Sequence, residues 1–207
     1  MNEPTVYIVD DDDAIRESLD LLIRSAGLKT ASFPTAQQFL DGHDPERPGC
    51  VVLDLRMPGI NGLELQERMV ADKSCLSIIF VTGHGDVPAA VSALRSGAID
   101  FIQKPFDDQE LLDRIQEALE ANRGALAARS DGRTLGERLD RLTPREREVM
   151  GRIVSGQANK AVAYDLELSE RTVEIHRSRV MKKMEAESLA QLVQMVTRAR
   201  EIGLESA

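Results

Sequence analysis

Charged and hydroxyl side chains follow short apolar segments at several places in the first half of the chain. The segments run into Asp10–Asp13, Asp54, Thr82–Gly83 and Lys104–Pro105. If these segments are parallel strands of one sheet, their carboxyl ends open on the same edge of it. Carboxylates, a hydroxyl and an amine then lie within one small volume.

This set of side chains suits the transfer of a phosphoryl group. Clustered carboxylates repel one another and need a cation, and Mg²⁺ takes one or two of them while keeping positions open for phosphate oxygens. Lys104 and Thr82 suit other phosphate oxygens. Asp54 is then the nucleophile, because a carboxylate can accept phosphate as an acyl phosphate. Capping the next helix is the simpler role, which we expect of Asp12 or Asp13.

The first 105 residues contain the elements that would position these groups. Segments with helical spacing alternate with five apolar segments, which are Val6–Val9, Lys29–Ser32, Val51–Leu53, Ile78–Val81 and Phe101–Ile102. Strand–helix alternation of this kind predicts an α/β fold, a five-stranded, parallel, doubly wound sheet with helices on both faces. The nearly continuous apolar strands agree with a sheet that is covered on both sides.

The second half of the chain has no strand-like segment. Residues 143–201 predict four helices, with cap signals at Thr143, Ser169 and Ser188. Residues 123–139 are rich in Ala, Arg and Gly, which favours a linker that is helical in part. We therefore predict an α/β domain over 1–122, a linker over 123–139 and a small all-α domain over 140–207.

Composition limits the classes of protein to consider. The 207 residues allow two small domains, each with its own core. Residues 1–122 carry 22 acidic and 10 basic side chains, whereas residues 123–207 carry 13 and 16. This asymmetry favours a basic, partner-binding module joined to an acidic one. No apolar segment approaches the roughly 18–20 residues that span a bilayer, and no export signal is visible, so we expect a cytoplasmic protein that does not contact membranes.

The segment 170–184 predicts an amphipathic helix with a nucleic-acid-binding face. Its inward stripe is expected to contain Val173, His176, Val180 and Met184. The opposite face is expected to present Arg171, Glu174, Ile175, Ser178, Arg179 and Lys182. Such a helix can lie in the DNA major groove with its cations near phosphates. An amphipathic helix with a merely solvated charged face is the simpler alternative.

Residues 5–120 resemble the receiver domain of bacterial response regulators, which has a flavodoxin-like fold. The resemblance rests on "VDDD", "VVLDLRMPG", "VTGHGD" and "DFIQKPF", in that order and spacing. It implies that a sensor histidine kinase phosphorylates Asp54. It also implies an Mg²⁺ site formed by Asp11, Asp54 and the backbone carbonyl of Arg56, with Asp10 acting through water.

The same resemblance implies a switch. Lys104 would contact the phosphoryl group, Thr82 and Phe101 would form a switch pair, and the Lys104–Pro105 peptide bond would be cis. Phosphorylation would remodel a face that contains Val91, Leu94 and Arg95. That face would then pair with a second receiver, which makes a homodimer.

Residues 140–202 resemble the LuxR-type helix-turn-helix domain. The resemblance rests on "LTPREREVM", "ANKAVAYDLELSERTVEIHRSRVMKKM" and "LAQLVQM", with Tyr164 as a departure from the usual small or charged residue. The phosphate contacts it implies are Lys160, Thr172, Arg177 and Lys182. The residues expected to face bases are Glu174, Ile175 and Ser178, and Arg171 belongs to the same predicted DNA-binding face. The last predicted helix, Ser188–Arg200, either supplies a dimer contact or only completes the core.

A receiver joined to a LuxR-type domain is the arrangement of the FixJ/NarL family, and "GHGDVPAAVSALRSGAIDFIQKPF" is most similar to its FixJ branch. The resemblance implies a two-component response regulator that regulates transcription, with RNA polymerase as a further partner, and not an enzyme. Two alternatives remain open. One is a DNA-binding regulator that does not depend on phosphorylation. The other is a dehalogenase-type phosphatase, although Arg56 stands where such an enzyme needs a general acid.

Overall fold

The amino-terminal half folds around a sheet of five parallel strands. The computed structural model describes residues 3–44, 47–83 and 87–204. The strands are β1 Thr5–Val9, β2 Lys29–Phe33, β3 Gly49–Leu53, β4 Ser77–Thr82 and β5 Asp100–Gln103. Their order in the sheet is β2-β1-β3-β4-β5, and every pair is parallel. The order reverses direction between β1 and β3, which is where open α/β sheets form a crevice for ligands.

Five helices accompany the sheet: α1 Asp13–Ser25, α2 Ala36–Gly42, α3 Gly62–Ala71, α4 Val87–Arg95 and α5 Asp108–Asp140. The sheet is covered on both faces, so successive residues of β1 enter different cores. Tyr7 packs with Phe39 of α2 in one core, whereas Ile8 packs with Leu19 of α1 and Ile115 of α5 in the other. The predicted α/β fold is confirmed.

Four helices follow: α6 Pro144–Val154, α7 Asn159–Asp165, α8 Glu170–Met184 and α9 Leu189–Glu201. Thr143 begins α6 with a capping box, and the Ser169 and Ser188 side chains cap α8 and α9, as the sequence predicts. A separate apolar core holds these helices together, and it includes Met150, Val162, Val173, Val180 and Leu192. The small all-α domain is therefore also confirmed.

The chain divides into two compact units, Met1–Ala127 and Ala128–Ala207. The division falls inside the predicted linker 123–139. All of these residues belong to α5, so the linker is helical throughout and not only in part. Repeated alanines and the straight-chain residues Glu and Arg have high helix propensity, which explains a helix without many large apolar residues. The exact domain limits at 122 and 140 stay a prediction. Among the described residues, no helix is both long and apolar enough to cross a bilayer.

Candidate functional site

The carboxyl ends of β1 and β3 place two carboxylates side by side. Asp10 directly follows β1 and Asp54 directly follows β3, and both are buried, with 3% and 8% of their surface exposed. The Asp54 backbone N–H donates to the Val9 carbonyl at 2.8 Å, which continues the pairing of the two strands. Lys104 reaches both acids, with Nζ at 2.6 Å from Asp10 Oδ2 and 3.4 Å from Asp54 Oδ1.

The neighbouring backbone holds these side chains in position. The Lys104 N–H donates to the Thr82 carbonyl at 2.9 Å, and the Lys104–Pro105 bond is cis. The Thr82 side chain is buried at the end of β4. Gly62 begins α3 against the strand end, since a Cβ there would lie 2.4 Å from the Asp54 carbonyl oxygen. Only glycine permits this approach of backbone to backbone.

The environment of Asp54 disfavours its ionised form. Burial raises the pKa of Asp54 above its ordinary value, and the neighbouring Asp10 adds to the rise. The Arg56 N–H, which donates to Asp54 Oδ2 at 2.7 Å, and the Lys104 ammonium oppose it without cancelling it. The single ammonium therefore compensates the acidic pair only in part, which favours an additional cation.

The donors at this edge of the sheet fit magnesium. Asp10, Asp54 and the exposed Asp11 offer only oxygen ligands, the type that Mg²⁺ prefers. No group of three or more His, Cys, Asp or Glu side chains gathers around a common point in the part of the chain that the structure describes. Magnesium does not need such a group, because it retains several waters and takes one or two carboxylates.

Arg16 is a neighbour of the acidic pair that the sequence analysis missed. Its Nη1 donates to the Asp10 carbonyl oxygen at 2.6 Å, and its other terminal nitrogen pairs with Asp13. Arg16 therefore ties the first turn of α1 to the acidic edge. The spacing of Asp13 and Arg16, three residues apart on one helix, was the available signal, although it does not reveal the contact with Asp10.

The predicted switch and dimer residues lie further along the same domain. Phe101 is half-buried and stacks against Phe80 with ring centroids 6.0 Å apart. Val91 and Leu94 of α4 are 41% and 45% exposed, and Arg95 beside them is exposed too. Residues 84–86 of the "VTGHGD" motif lie outside the described residues. The roles of Thr82 and Phe101 as a switch pair, and of the α4 face in pairing, stay predictions.

The second unit presents the predicted nucleic-acid face along α8. Val173, Val180 and Met184 are buried as predicted, and His176 is half-buried. The exposed members of the predicted DNA-binding set are Lys160, Arg171, Glu174, Ile175, Ser178 and Lys182. Contacts of these residues with DNA remain predictions.

Two further members of that set, Thr172 and Arg177, are half-buried and have partners inside the domain. The Thr172 hydroxyl lies 2.7 Å from the Ser169 hydroxyl, and Arg177 donates to Asn159 Oδ1 at 3.2 Å. Arg177 thus connects α8 with the first residue of α7. The sequence analysis missed this connection, because nothing in the spacing of two residues on different helices indicates it.

An ion pair between a buried glutamate and a partly exposed lysine stabilises the same unit, and the sequence analysis missed it as well. Glu146, 2% exposed, accepts a hydrogen bond from Lys183 Nζ at 2.6 Å and one from the Thr143 N–H at 2.9 Å. Burial alone would raise the pKa of Glu146, but these hydrogen bonds, that from Lys183 first, lower it to about 2. The pair fastens α8 to the start of α6.

Comparison with known families matches both units. The model for the response regulator receiver domain matches residues 6–116, and the model for bacterial regulatory proteins of the luxR family matches residues 140–196. Among curated proteins, the transcriptional regulatory protein FixJ of Azorhizobium caulinodans is 47% identical over 192 residues, covering 92% of this chain and 90% of the relative. FixJ of Bradyrhizobium diazoefficiens is 44% identical over 194 residues, covering 94% and 95%. The response regulator protein TodT of Pseudomonas putida is 38% identical over 196 residues, covering 95% and 86%.

Solved structures agree with these matches. The response regulator StyR aligns with a TM-score of 0.86 and 43% identity, covering 95% of this chain and 99% of that one. Full-length FixJ from B. japonicum aligns with a TM-score of 0.58 and 42% identity, covering 97% and 99%. In this chain a parallel-sheet receiver domain is thus followed by a helical domain of the luxR family. The chain belongs to the two-component response regulators that carry a receiver domain and a LuxR-type DNA-binding domain, and it is a transcription regulator.

Proposed function

We propose that Asp54 is the phosphoacceptor and that its phosphorylation by a sensor histidine kinase controls DNA binding. The observation that carries this proposal is the convergence of Asp10, Asp54 and Lys104 at the carboxyl edge of the sheet, with Nζ–O distances of 2.6 and 3.4 Å. A buried carboxylate beside an ammonium can accept a phosphoryl group and retain it away from bulk water.

The chain's own residues perform distinct parts of the transfer. An Asp54 carboxylate oxygen forms a bond to phosphorus while the bond between phosphorus and the donor nitrogen breaks. Lys104 then neutralises one phosphoryl oxygen, and the Thr82 hydroxyl donates to another. Asp11, Asp54 and the Arg56 carbonyl would hold Mg²⁺, with Asp10 acting through water, and the ion would supply electrostatic stabilisation of the remaining phosphoryl charge.

Phosphorylation is proposed to change the α4 face. Drawing Thr82 toward the phosphoryl group leaves room for Phe101 to turn inward, and the exposed Val91, Leu94 and Arg95 then pair with a second receiver. Shifting such a two-state equilibrium from 1:99 to 99:1 takes roughly 5.5 kcal/mol of preference for the active state. Charge-assisted hydrogen bonds from Lys104 and Thr82 would contribute part of that difference.

The homodimer is proposed to bind two promoter half-sites through α8. Arg171 and Lys182, with Lys160 of α7, would contact phosphates together with Thr172 and Arg177, whereas Glu174, Ile175 and Ser178 would face bases. A glutamate can accept a hydrogen bond from the cytosine amine. Cytoplasmic action and contact with RNA polymerase follow from this role. We infer that the site does not turn over phosphate esters, because the exposed Arg56 stands where a phosphatase of that type needs its general acid.

The proposal is tested with the full chain, a small-molecule phosphodonor such as acetyl phosphate, and Mg²⁺. Mass spectrometry should find one added phosphoryl group on Asp54, and sedimentation velocity should show a dimer whose affinity for promoter DNA rises in a gel shift. Asp54→Asn should show none of these changes. Asp72→Asn, an exposed carboxylate at the end of α3, is the matched control and should behave as the wild type. Equal DNA binding by wild type and Asp54→Asn, with or without donor, would instead support regulation that does not depend on phosphorylation.

A further inference from the structure

Gln66 is a buried glutamine whose side chain joins two helices of the receiver domain. It lies on the inward face of α3 with Leu65 and Met69 of the apolar core, and only 1% of its surface is exposed. Its Nε2 donates to the Ala93 carbonyl oxygen of α4 at 2.9 Å, across 27 positions of the sequence. The contact involves none of the residues proposed to receive or hold the phosphoryl group.

The Ala93 carbonyl lies at the carboxyl end of α4, where the backbone caps the helix. The Ala98 N–H donates to this oxygen at 3.0 Å, and the N–H of Gly97, whose φ is 94°, donates to the Leu94 carbonyl at 3.0 Å. This pair of hydrogen bonds around a left-handed glycine is the Schellman motif, which ends many helices. A carbonyl oxygen has two lone pairs, so Ala93 can accept from the cap and from Gln66 together.

Apolar burial holds α4 only weakly to the rest of the domain. Among the residues of this helix, all of which the structure describes, only Ala93 is buried, and Ala89 packs partly buried against the same core. The larger apolar residues Val87, Val91 and Leu94 are 76%, 41% and 45% exposed. Alanine side chains remove little apolar area from water, so their burial stabilises the position of α4 only modestly. The buried hydrogen bond from Gln66 is therefore a substantial part of what fixes α4 against α3.

We propose that Gln66 is a positioning residue of the switch and holds α4 in the conformation of the unphosphorylated receiver. This inference rests on the proposed function, since it concerns the change of α4 that phosphorylation of Asp54 is proposed to cause. When α4 shifts relative to α3, the hydrogen bond between Gln66 and Ala93 breaks, and a buried amide left without an acceptor costs free energy. The bond therefore favours the unphosphorylated conformation, and phosphorylation has to overcome it.

Gln66→Met removes the donor and keeps the length of the side chain, while the Ala93 carbonyl still accepts from Ala98. Native-state amide hydrogen exchange of the full chain, without phosphodonor, is the first measurement. The amides of α4 and of Ala98 should exchange about three- to tenfold faster in the variant, because local opening breaks one hydrogen bond fewer. The amides of β1 and β3 should exchange as in the wild type, which shows that the variant is folded. Gln38→Met, at an exposed glutamine of α2, is the control and should leave all of these rates unchanged.

Two further measurements separate a role in the switch from a structural contact. Unphosphorylated Gln66→Met should dimerise at least about threefold more tightly than unphosphorylated wild type in sedimentation velocity, because its rearranged conformation is more populated. In the wild type, which needs no variant to fold, NMR follows the side-chain amide protons of Gln66. They should exchange more slowly than those of the exposed Gln38 before phosphorylation and lose this protection after it.

The possible failures are distinguishable. Unchanged exchange of α4 in folded Gln66→Met overturns the inference, and so does a Gln66 side-chain amide that keeps its protection in the phosphorylated wild type. Faster exchange of α4 together with wild-type dimerisation would reduce Gln66 to a structural contact and overturn its role in the switch. A wild type that acquires no phosphoryl group on Asp54 would instead contradict the proposed function, which the exchange of α4 without phosphodonor does not test.

Discussion

Asp54 is a buried carboxylate, and keeping it ionised lowers the free energy of unfolding of the receiver domain. Its pKa in the folded chain is raised above the ordinary value of 3.8 because burial disfavours the ionised form. Below pH 3.8 the carboxyl is protonated in both folded and unfolded chains, so the cost is absent there. The cost appears as the pH rises from 3.8 through the folded pKa, and it is fully present once the pH lies above the folded pKa.

Asp54→Asn should therefore stabilise the receiver domain at pH 7, by about 0.5–2 kcal/mol, as is common when a functional charge is removed from a site. The shorter contact of Lys104, 2.6 Å from Asp10, does not involve Asp54 and should therefore remain in this variant. Urea denaturation at several pH values measures the difference, which should shrink as the pH falls toward 3.8. A variant that is less stable than the wild type at pH 7 would show that the ion pair with Lys104 outweighs burial.

At the same scale, sequence patterns predict the acidic pair and the lysine, and the family resemblance implies the cis bond. Each occupies a position directly after a strand, and strand ends are visible in one dimension. The contacts of Arg16 with Asp10, of Arg177 with Asn159 and of Lys183 with Glu146 were not predicted, because each joins two different elements. A side chain's chemical type can be inferred from the sequence, whereas its partner depends on the fold.

At the scale of elements, the join between β3 and α3 depends on the absence of a side chain. A Cβ on Gly62 would meet the Asp54 carbonyl oxygen at 2.4 Å and the Leu55 Cα at 3.0 Å, both of them backbone atoms. Gly62→Ala should therefore displace the strand end that carries Asp54 and lower the free energy of unfolding by about 1–3 kcal/mol.

Gly124 provides the matched control for this prediction. It lies inside α5, and a Cβ there would meet nothing within 4 Å. Gly124→Ala should raise helix propensity and stabilise the protein by about 0.5–1 kcal/mol. Thermal denaturation of both variants checks the opposite signs, and a stable, readily phosphorylated Gly62→Ala protein would contradict the proposed backbone restriction.

The connection between α6 and α8 depends on the ion pair of Glu146 and Lys183. Lys183→Met would leave a buried carboxylate without its cation and should destabilise the DNA-binding domain by about 1–3 kcal/mol, less than for a fully dry pair because Lys183 is one-third exposed. Lys182→Met, an exposed neighbour, should have little effect on stability. Chemical denaturation, followed by far-ultraviolet circular dichroism, measures the free energy of unfolding of Lys183→Met and Lys182→Met and distinguishes the two variants.

The same pair predicts a pH dependence of stability. Because the folded pKa of Glu146, about 2, lies below its ordinary value of 4.5, its stabilisation is complete above pH 4.5 and is lost as the pH falls through about 2. In Glu146→Gln this acid-dependent loss should be absent. An identical acid response in wild type and variant would show that the ion pair does not form.

At the scale of the whole molecule, the two halves differ in net charge, and the more basic half is the one that carries the DNA-binding domain. The receiver half carries a net charge of −12 and the remainder +3, counted from 22 acidic and 10 basic residues against 13 and 16. Phosphate neutralisation gives a DNA-binding domain much of its affinity, and its acidic neighbour would be repelled from the same surface. Dimerisation is the proposed means of raising the affinity of so weakly basic a domain.

Leu94→Asp tests that proposal on the α4 face. Leu94 is 45% exposed, and an aspartate there would introduce a charge into any interface that buries this face. The phosphorylated variant should remain monomeric in sedimentation velocity, with its dimer weakened by at least about tenfold. Leu21→Asp, at a 74% exposed leucine of α1, is the control and should dimerise normally. A dimer that survives Leu94→Asp would place the interface elsewhere.

The sequence by itself determined the kinds of element, their order and the chemistry at the strand ends, because apolar periodicity, caps and terminal acids depend on neighbours along the chain. Only the tertiary structure decided which groups meet. The 2.6 Å contact of Lys104 with Asp10 joins residues 94 positions apart, and the 2.6 Å contact of Lys183 with Glu146 joins residues 37 positions apart. Proximity and burial are properties of packing, which one-dimensional patterns do not encode.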